Sequence, residues 1–368
     1  MRKDWEYKKW ADVLTIINGK NQKAVESIDG TYPIYGSGGI MGYANDWLCP
    51  ENCTIIGRKG NINKPIFVES KFWNVDTAFG LNSNQNLLAS KYLYYFCLNY
   101  DFNRHNKAVT IPSLTKVDLL KIEMPLPPKP TQLAIVAELD KINELIQLKK
   151  QQLKDYDQLA QSIFYEMFGD PVENEKGWEV KNIESVCSSI VRGPFGSALK
   201  KDFFVPKNNS TYKIYEQKNA IQKNASIGSY YITEERFKEL SRFELLPGDI
   251  IMSCSGTIGE LYRIPVNAEK GIMNQALLKF SLLKQINFLY FLYLMDYVKK
   301  EFTIRGSGLQ NIGSVKIIKS MKFGLPPLPL QQQFAARIEA IERQKQQVSE
   351  TRKDLETLLA SRMQYWFD

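Results

Sequence analysis

Histidine is almost absent from this 368-residue sequence, and its scarcity limits the chemistry that the chain can perform. His105 is the only histidine. A Ser-His-Asp or Cys-His nucleophile would therefore need this one residue, in the segment "NRHNK", as its base. Its basic and polar neighbours favour a loop residue over a catalytic base.

Cysteine is also sparse and lacks the spacing of a disulfide framework. The five cysteines are Cys49, Cys53, Cys97, Cys187 and Cys254. An odd, irregular set suits reduced thiols in a reducing compartment. Cys49 and Cys53 alone are close enough to begin a zinc site, but no second pair follows to complete four ligands. The sequence predicts no metal site.

Long apolar runs are missing. No segment approaches the roughly 18 uninterrupted apolar residues of a membrane span, and the richest candidate, "INFLYFLYLMDYV" from Ile286, ends in charge. The first residues, "MRKDWEYKKW", carry charges and aromatic rings where a signal peptide needs an apolar core. We therefore expect a cytoplasmic protein that does not enter the membrane.

Nucleotide-binding loops are lacking as well. "GSGGIMG" carries Met41 where the G-x-G-x-x-G frame requires glycine, and no G-x-x-x-x-G-K-[ST] segment occurs. Asp170, Glu179 and Lys181 have the D…E-x-K order of a Mg²⁺-dependent nuclease. Glu179 and Lys181, however, belong to a repeated frame, which explains them as structural residues. The sequence predicts no catalytic residue.

What the sequence does contain is one plan written twice. "KDWEYKKWADV" at Lys3 matches "KGWEVKNIESV" at Lys176, and "LPPKPTQ" at Leu126 matches "LPPLPLQ" at Leu325. The first match has an offset of 173 residues and the second an offset of 199, so the middle of the second copy is 26 residues longer. Two matches in the same order, each at the edge of a domain-sized block, indicate an internal repeat with constant ends.

A long helix is predicted after each proline segment. Apolar residues recur at spacings of three and four for more than four heptads, without internal glycine or proline. About 38 residues at 1.5 Å each give a rod of roughly 57 Å, which is longer than a small domain. The two helices are therefore expected to pair with each other, although each packing on its own domain is the alternative. The predicted helix-pair and subunit interface consists of Ile135, Leu139, Ile142, Ile146, Leu153, Tyr156, Phe334, Ile338, Ile341, Val348, Leu355 and Leu359.

The prolines predict a stiff joint between a globular block and a helix. Pro127–Pro128 and Pro326–Pro327 hold the chain extended, while Pro130 and Pro329 suit a first helical turn. A ligand for a proline-recognition domain is the alternative. The predicted division is a globular block at 1–125, a joint and helix at 126–170, a second block at 171–324 and a second joint and helix at 325–368. The fold class predicted is α+β.

The net positive charge of the chain lies in the globular blocks. The net charge is +3 for residues 1–125 and +7 for 171–324, against −2 for 126–170 and zero for 325–368. The total of +8 and the pI near 9.0 suit a nucleic-acid partner. If phosphate is the target, the globular blocks meet it and the helices do not.

Glycine-rich polar loops stand between apolar strand-like runs in both blocks. Arginine and lysine reach phosphates or guanine edges, asparagine and glutamine pair with adenine, and glycine allows close approach of the backbone. For any single loop, a solvated turn is the alternative. The candidate DNA-binding residues are Lys20, Ser37, Arg58, Lys59, Asn61, Arg104, His105, Lys107, Arg192, Ser197, Lys200, Lys201, Lys218, Thr257, Arg305, Gln310 and Asn311.

The sequence resembles the specificity subunit of a type I restriction-modification system. The residues that carry the resemblance are "YPIYGSGGIMGY", "GRKGNINKPIFV", "VRGPFGSALK", "LLPGDIIMSCSGTIG" and the two "LPP" segments with their long helices. The resemblance covers essentially the whole chain, with both halves in order.

Several expectations follow from the resemblance. It implies two target-recognition domains that read the two parts of a bipartite, asymmetric DNA sequence, and an antiparallel coiled coil with pseudo-two-fold symmetry. The expected partners are double-stranded DNA, two modification subunits and restriction subunits. S-adenosylmethionine, ATP and Mg²⁺ are expected on those partners, and none on this chain, which would be non-catalytic. A self-sufficient methyltransferase or nuclease and a protein-binding coiled-coil adaptor are the alternatives.

Overall fold

The computed structural model describes residues 5–106, 111–304 and 315–368, and only the backbone of residues 196–197 and 300–304. The chain divides into two units. Unit 1 comprises Met1–Leu153 and Gln347–Asp368, and unit 2 comprises Lys154–Gln346. Each unit therefore contains part of both long helices.

The elements that begin in the first half of the chain follow one another in short succession. They are β1 (Glu6–Lys9), α1 (Trp10–Val13), β2 (Leu14–Asn18), β3 (Tyr32–Gly36), β4 (Gly39–Ala44), β5 (Cys53–Gly57), β6 (Ile66–Val68), β7 (Trp73–Asn74), β8 (Ala78–Ser83), α2 (Ser90–Asn99), α3 (Lys116–Leu119), β9 (Glu123–Leu126) and α4 (Lys129–Phe168).

The second half repeats this order with additions. Its elements are β10 (Glu179–Asn182), β11 (Cys187–Arg192), β12 (Tyr212–Tyr215), α5 (Gln217–Ile221), β13 (Tyr231–Ile232), α6 (Glu234–Glu239), β14 (Glu244–Leu245), β15 (Ile250–Ser253), β16 (Leu261–Arg263), β17 (Gly271–Met273), β18 (Leu277–Leu282), α7 (Phe288–Ile304), α8 (Val315–Ser320), β19 (Lys322–Leu325) and α9 (Leu328–Phe367).

The two units share the topology of one four-stranded antiparallel sheet, and their second sheets share a parallel strand pair but differ in the number of strands. In unit 1 the four-stranded sheet has the order β2-β8-β5-β6 and the smaller sheet the order β4-β3-β7. In unit 2 the corresponding orders are β11-β18-β15-β16 and β13-β12-β17-β14. The sheets β2-β8-β5-β6 and β11-β18-β15-β16 are antiparallel, whereas β3 pairs parallel with β7 and β12 pairs parallel with β17. Much of the longer middle of the second copy lies between β12 and β15, where α5, α6 and β14 are found.

Strand pairing explains why the ends of the repeat are constant. In unit 1, β1 pairs with β9 so that Glu6 faces Leu126; in unit 2, β10 pairs with β19 so that Glu179 faces Leu325. The "WExK" and "LPP" matches are therefore the two strands of one small antiparallel sheet. In each unit this sheet lies immediately before a long helix. Because its two strands come from the two ends of the repeat, their pairing constrains the sequence at both ends.

Both long helices begin within the proline segments, as the sequence predicts. Each is 40 residues long, and Pro130 and Pro329 occupy the second residue of α4 and α9. Proline lacks the backbone N–H that a first turn leaves unpaired, so it fits there without loss of a hydrogen bond. No helix among the residues that the structure describes is long and apolar enough to span a membrane. Together with the sheets, these helices confirm the predicted α+β class with two repeated units.

Each unit buries the apolar faces of its helices in its own core. The unit 1 core contains Trp10, Tyr92, Ile135, Leu139 and Phe367, and the unit 2 core contains Phe164, Phe168, Tyr290, Phe334 and Ile338. Of the predicted seam, eight residues are buried: Ile135, Leu139, Ile142, Ile146, Phe334, Ile338, Ile341 and Val348. The other four, Leu153, Tyr156, Leu355 and Leu359, are partly buried.

Candidate nucleic-acid interface

One edge of unit 1 collects the ends of β2, β3, β5 and β7 and the start of β8. Strand β5 ends at Gly57, which pairs with Ala78 at the start of β8. Strand β2 ends at Asn18, which pairs with Phe79 of the same strand β8. The Arg58 N–H donates to Thr77 O at 2.8 Å, and the Gly19 N–H donates to Ala78 O at 3.3 Å. We call residues 19–20, 37–38, 58–61 and 75–78 the unit 1 edge.

The hairpin between β3 and β4 adds a polar tip to this edge. A Cβ on Gly57 would lie 3.1 Å from Ser37 Cβ, and a Cβ on Gly38 would lie 4.0 Å from Asn61 Nδ2. The tip therefore touches the loop that follows β5. In this way the structure brings together five candidate residues from three separate loops: Lys20, Ser37, Arg58, Lys59 and Asn61.

Unit 2 has an equivalent edge. The Gly193 N–H donates to Leu277 O at 3.0 Å, the Cys254 N–H donates to Ala276 O at 2.8 Å, and the Asn274 N–H donates to Tyr215 O at 2.9 Å. These bonds join the ends of β11, β15, β12 and β17 to the start of β18. We call residues 192–195, 216–218, 254–259 and 274–276 the unit 2 edge.

A glycine in each unit allows the first loop of the edge to cross a neighbouring backbone closely. A Cβ on Gly19 would lie 1.8 Å from Val75 O, and a Cβ on Gly193 would lie 1.9 Å from Asn274 O. Real Cβ atoms do not approach a backbone oxygen so closely, so only glycine fits either position without a backbone shift. The two edges are thus equivalent in backbone contacts although their loop sequences differ.

Candidate residues of the unit 2 edge differ in how firmly they are held. Arg192 Nε donates to Gln275 O at 3.3 Å, and its guanidinium lies 5.0 Å from the centre of the exposed Phe195 ring. Lys218 Nζ lies 2.6 Å from Glu216 Oε2. Thr257 is exposed, and its carbonyl accepts a 2.6 Å hydrogen bond from Ser253 Oγ. Arg192 and Lys218 are thus held by neighbouring groups of the edge, whereas the Thr257 side chain is exposed.

Other candidates lie on separate segments. Arg104 and His105 belong to a 3-10 turn at Phe102–His105, where His105 Nε2 is 2.6 Å from Tyr100 Oη. Arg104 lines a cleft of about 870 Å³ with the last turns of α9. Lys200 and Lys201 are exposed; Lys200 lies between two 3-10 turns and Lys201 begins the second. The candidates outside the described residues are Lys107, Arg305, Gln310, Asn311 and the side chain of Ser197.

Two amide side chains of the unit 2 edge escaped the sequence analysis. Gln217 is the first residue of α5, two positions after the end of β12, and the exposed Gln275 lies two positions after the end of β17. Because β12 and β17 are parallel, residues that follow them lie at the same edge of the sheet. Strands β12 and β17 are distant in the sequence. Knowledge of their parallel pairing would have identified both glutamines.

Three cysteine thiols in the two units, those of Cys49, Cys53 and Cys254, are buried. Burial raises the pKa of Cys254 to about 11 and that of Cys53 to about 12. Cys49 Sγ donates to Asn74 Oδ1 at 3.2 Å. Protonated, buried thiols are poor metal ligands and poor nucleophiles. Within the described part of the chain, no group of three or more His, Cys, Asp or Glu side chains is placed to hold a metal ion.

Contacts between α4 and α9 occur inside each unit. In unit 1, Arg362 and Trp366 near the end of α9 donate to the Glu138 carboxylate near the start of α4, with Nη2 and Nε1 each 3.1 Å from Oε2. The Arg362 hydrogen bond holds the pKa of Glu138 below its ordinary value. In unit 2, Lys345 Nζ lies 2.7 Å from Asp157 Oδ1. Phe334 in the first turns of α9 packs on Phe164 and Phe168 in the last turns of α4.

The arrangement suits recognition of a polyanion. Each edge presents cationic and amide side chains on a backbone fixed by hydrogen bonds, which are the groups that contact phosphates and base edges. Two repeated α+β units of this kind, each joined to a 40-residue helix, define a two-domain recognition protein.

Comparison with known proteins gives the family. Residues 2–155 and 175–357 match the model of the "Type I restriction modification DNA specificity domain", and the chain belongs to this family. The MjaVIII specificity subunit of Methanocaldococcus jannaschii is 22% identical over 398 residues, with 97% of this chain and 92% of that protein covered. The MjaIX specificity subunit of the same organism is 23% identical, and a putative type I specificity subunit of Haemophilus influenzae is 24% identical. The match spans 69% of this chain in both cases, but only 62% and 66% of the length of these two relatives.

Solved structures share the fold. The specificity subunit of a type I restriction-modification system from M. genitalium aligns with a TM-score of 0.57 and 14% identity, covering 100% of this chain and 98% of that one. A chain from a study of complex assembly and conformational transition of the type I system aligns with a TM-score of 0.64 and 15% identity, covering 99% and 97%. At these identities the likeness concerns the fold.

Proposed function

We propose that this chain is the sequence-specific DNA-recognition subunit of a type I restriction-modification complex. The observation that carries the proposal is the pair of equivalent edges, one in each unit, which combine the same backbone contacts with different polar side chains. Membership of the DNA specificity family supports the same function. Each edge reads one part of a bipartite DNA target.

The two parts of the target differ in sequence. The unit 1 edge presents Lys20, Arg58, Lys59 and Asn61, whereas the unit 2 edge presents Arg192, Gln275 and Thr257. Hydrogen-bonding side chains of different type and position favour different base edges in the major groove. The target is therefore asymmetric, not palindromic.

The long helices act as a spacer between the two reading edges. Contacts inside unit 1 join the end of α9 to the start of α4, and contacts inside unit 2 join the start of α9 to the end of α4. Both sets are those of antiparallel helices, which supports an antiparallel coiled coil. Helices of 40 residues, about 60 Å at 1.5 Å per residue, exceed one turn of B-DNA at about 34 Å, so the two parts of the target flank an unread gap.

Catalysis belongs to the partner subunits in this account. The chain recruits modification subunits, two per complex, and restriction subunits, and it selects the DNA on which they act. S-adenosylmethionine, ATP and Mg²⁺ bind to those partners. Membership of the DNA specificity family supports a non-catalytic role.

Footprinting tests the proposal. The chain assembled with its modification subunits should protect two short patches of its target DNA, separated by an accessible gap. Hydroxyl-radical cleavage resolves such patches at single-nucleotide level. One continuous protected patch would contradict the proposal, and so would methylation or cleavage of DNA by the purified chain alone.

A further inference from the structure

A buried glutamine follows the proline joint in both copies of the repeat. Gln132 lies in the first turn of α4 and Gln331 in the first turn of α9, and the side chain of each is completely buried. A buried amide is costly unless its donors and acceptor are satisfied. Glutamine at both positions therefore requires a specific hydrogen-bonding partner set.

Gln132 joins three segments of unit 1 through its side-chain amide. Its Oε1 accepts from the Ala89 N–H at 2.8 Å, and its Nε2 donates to Leu87 O at 2.9 Å and Pro127 O at 2.8 Å. Ala89 is the N-cap of α2, and Pro127 is in the joint before α4. Tyr92 of α2 adds a hydrogen bond from its hydroxyl to Pro125 O at 3.0 Å.

Gln331 repeats this arrangement in unit 2. Its Oε1 accepts from the Asn287 N–H at 2.8 Å, and its Nε2 donates to Gln285 O at 3.4 Å and Pro326 O at 2.8 Å. Asn287 directly precedes α7, the counterpart of α2. The Tyr290 hydroxyl donates to Gly324 O at 3.0 Å, as the Tyr92 hydroxyl does to Pro125 O.

These bonds clamp the start of each long helix to the core helix of its own unit. The prolines restrict the backbone torsion angles of the joint. An extended segment without a cross-link to its neighbours can still pivot. Three hydrogen bonds from one buried side chain hold the joint against both the core helix and the preceding loop. The amide group is well suited to this role because it donates and accepts at once.

We infer that Gln132 and Gln331 are positioning residues that fix the direction in which each long helix leaves its unit. This inference rests on the proposed function, because the direction of the helices sets the distance at which the two parts of the DNA target are read. Loss of a clamp loosens that distance and leaves the reading edge itself intact. Neither glutamine contacts DNA in this account.

The two clamps differ in how the core helix beside them is capped. Ala89 offers no side-chain cap to α2, whereas the Asn287 side chain accepts a 2.8 Å hydrogen bond from the Leu289 N–H and so caps α7 itself. Removing Gln132 therefore leaves α2 with less support than removing Gln331 leaves α7. The larger effect is expected for Gln132→Leu.

The test compares Gln132→Leu and Gln331→Leu in the full chain assembled with its modification subunits. Binding is measured to DNA with the native spacer, to DNA with one base pair more or fewer, and to DNA carrying a single part of the target. Both variants should lose preference for the native spacer, with a greater loss for Gln132→Leu, and bind the single parts like the wild type. Gln147→Leu and Gln344→Leu, at exposed positions of α4 and α9, are the controls and should keep the native preference.

Hydrogen exchange supplies a readout that does not involve DNA. The amide of Ala89 should exchange faster in Gln132→Leu, while amides in β5 and β8 keep their protection. If Gln132→Leu is unstable, Gln132→Asn, which keeps the amide on a shorter side chain, serves as the milder variant. An unchanged spacer preference, or weaker binding to a single part of the target, would overturn the inference. If the wild type itself has no bipartite target, the proposed function fails instead.

Discussion

Arg362 and Glu138 form a hydrogen-bonded ion pair within unit 1, with Nη2 3.1 Å from Oε2. The pair joins residues 224 positions apart and ties the last turns of α9 to the third turn of the first long helix. Trp366 donates to the same carboxylate oxygen from the next turn of α9. One carboxylate thus organises this end of the helix pair.

This pair makes the stability of unit 1 depend on pH. The hydrogen bond from Arg362 lowers the pKa of Glu138 below its ordinary value of 4.5. A carboxyl group whose pKa is lowered by folding stabilises the folded state above its unfolded pKa and ceases to do so as pH falls through the folded value. Glu138→Gln should therefore lower the melting temperature at neutral pH, and the difference from wild type should shrink below about pH 4.5.

Glu144→Gln is the matched control on the same helix. Glu144 is exposed and pairs with Lys141, three residues earlier, at 3.0 Å. Exposed pairs of this spacing contribute little to stability. Equal and pH-independent effects of the two substitutions in thermal melts would contradict the assigned role of Glu138.

Gly19 is predicted to be essential for the shape of the unit 1 edge. In Gly19→Ala the new methyl group would lie 1.8 Å from Val75 O, so the backbone must shift. Such overpacking costs about 1–3 kcal/mol. The variant should melt at a lower temperature and bind DNA more weakly, because Lys20 moves with the backbone.

Gly38→Ala provides the comparison at the same edge. Its added methyl group would have Asn61 Nδ2 at 4.0 Å as its nearest neighbour, so its melting temperature should stay close to that of the wild type. A melting temperature for Gly19→Ala as high as that for Gly38→Ala would show that the close crossing is wrong.

Arg58 is predicted to act through phosphate contact. It is exposed at the unit 1 edge. Each phosphate contact contributes about 0.9 to the slope of log affinity against log salt concentration. Arg58→Ala in the assembled complex should reduce that slope by about 1 and weaken binding to all sequences similarly. Lys141→Ala, on the surface of α4, should leave the slope unchanged; equal slopes for Arg58→Ala and wild type would remove Arg58 from the interface.

The spacer role of the helices predicts a change in target length. The boundary between the units falls after Leu153 in α4 and after Gln346 in α9. One extra heptad at each boundary adds about 10 Å of helix. The gap in the preferred DNA target should lengthen, by up to about three base pairs. Substituting the sequence of the inserted heptad for an existing heptad adds no length and should leave the gap unchanged. An unchanged gap after insertion would exclude the spacer role.

The repeat, the long helices and the fold class could be predicted from the sequence because each depends on local patterns. The heptad spacing and Pro130 and Pro329 place both helices correctly. The repeated "WExK" and "LPP" segments were recognised as constant ends, but their pairing as β1 with β9 and β10 with β19 was not. Pairing of strands far apart in the chain depends on tertiary contacts, which a single sequence does not display.

The candidate interface was predictable only in part for the same reason. Lys20, Ser37 and Arg58 come from loops distant in the sequence, and the sheet order brings them to one edge. Gln217 and Gln275 were missed because the parallel pairing of β12 and β17 puts them there. The aligned Gln132 and Gln331 were visible as a match, yet their role became evident only from their burial and partners. Which candidates contact bases stays a prediction.

Mapping DNA methylation in cells with and without this gene tests the central claim most directly. The account predicts one modified motif that consists of two different short sequences separated by an unread gap, and that disappears when the gene is deleted. A continuous or palindromic motif that depends on the gene would contradict the assignment of one edge to each part of the target. A methylation pattern that is identical in both cells would contradict DNA recognition by this chain.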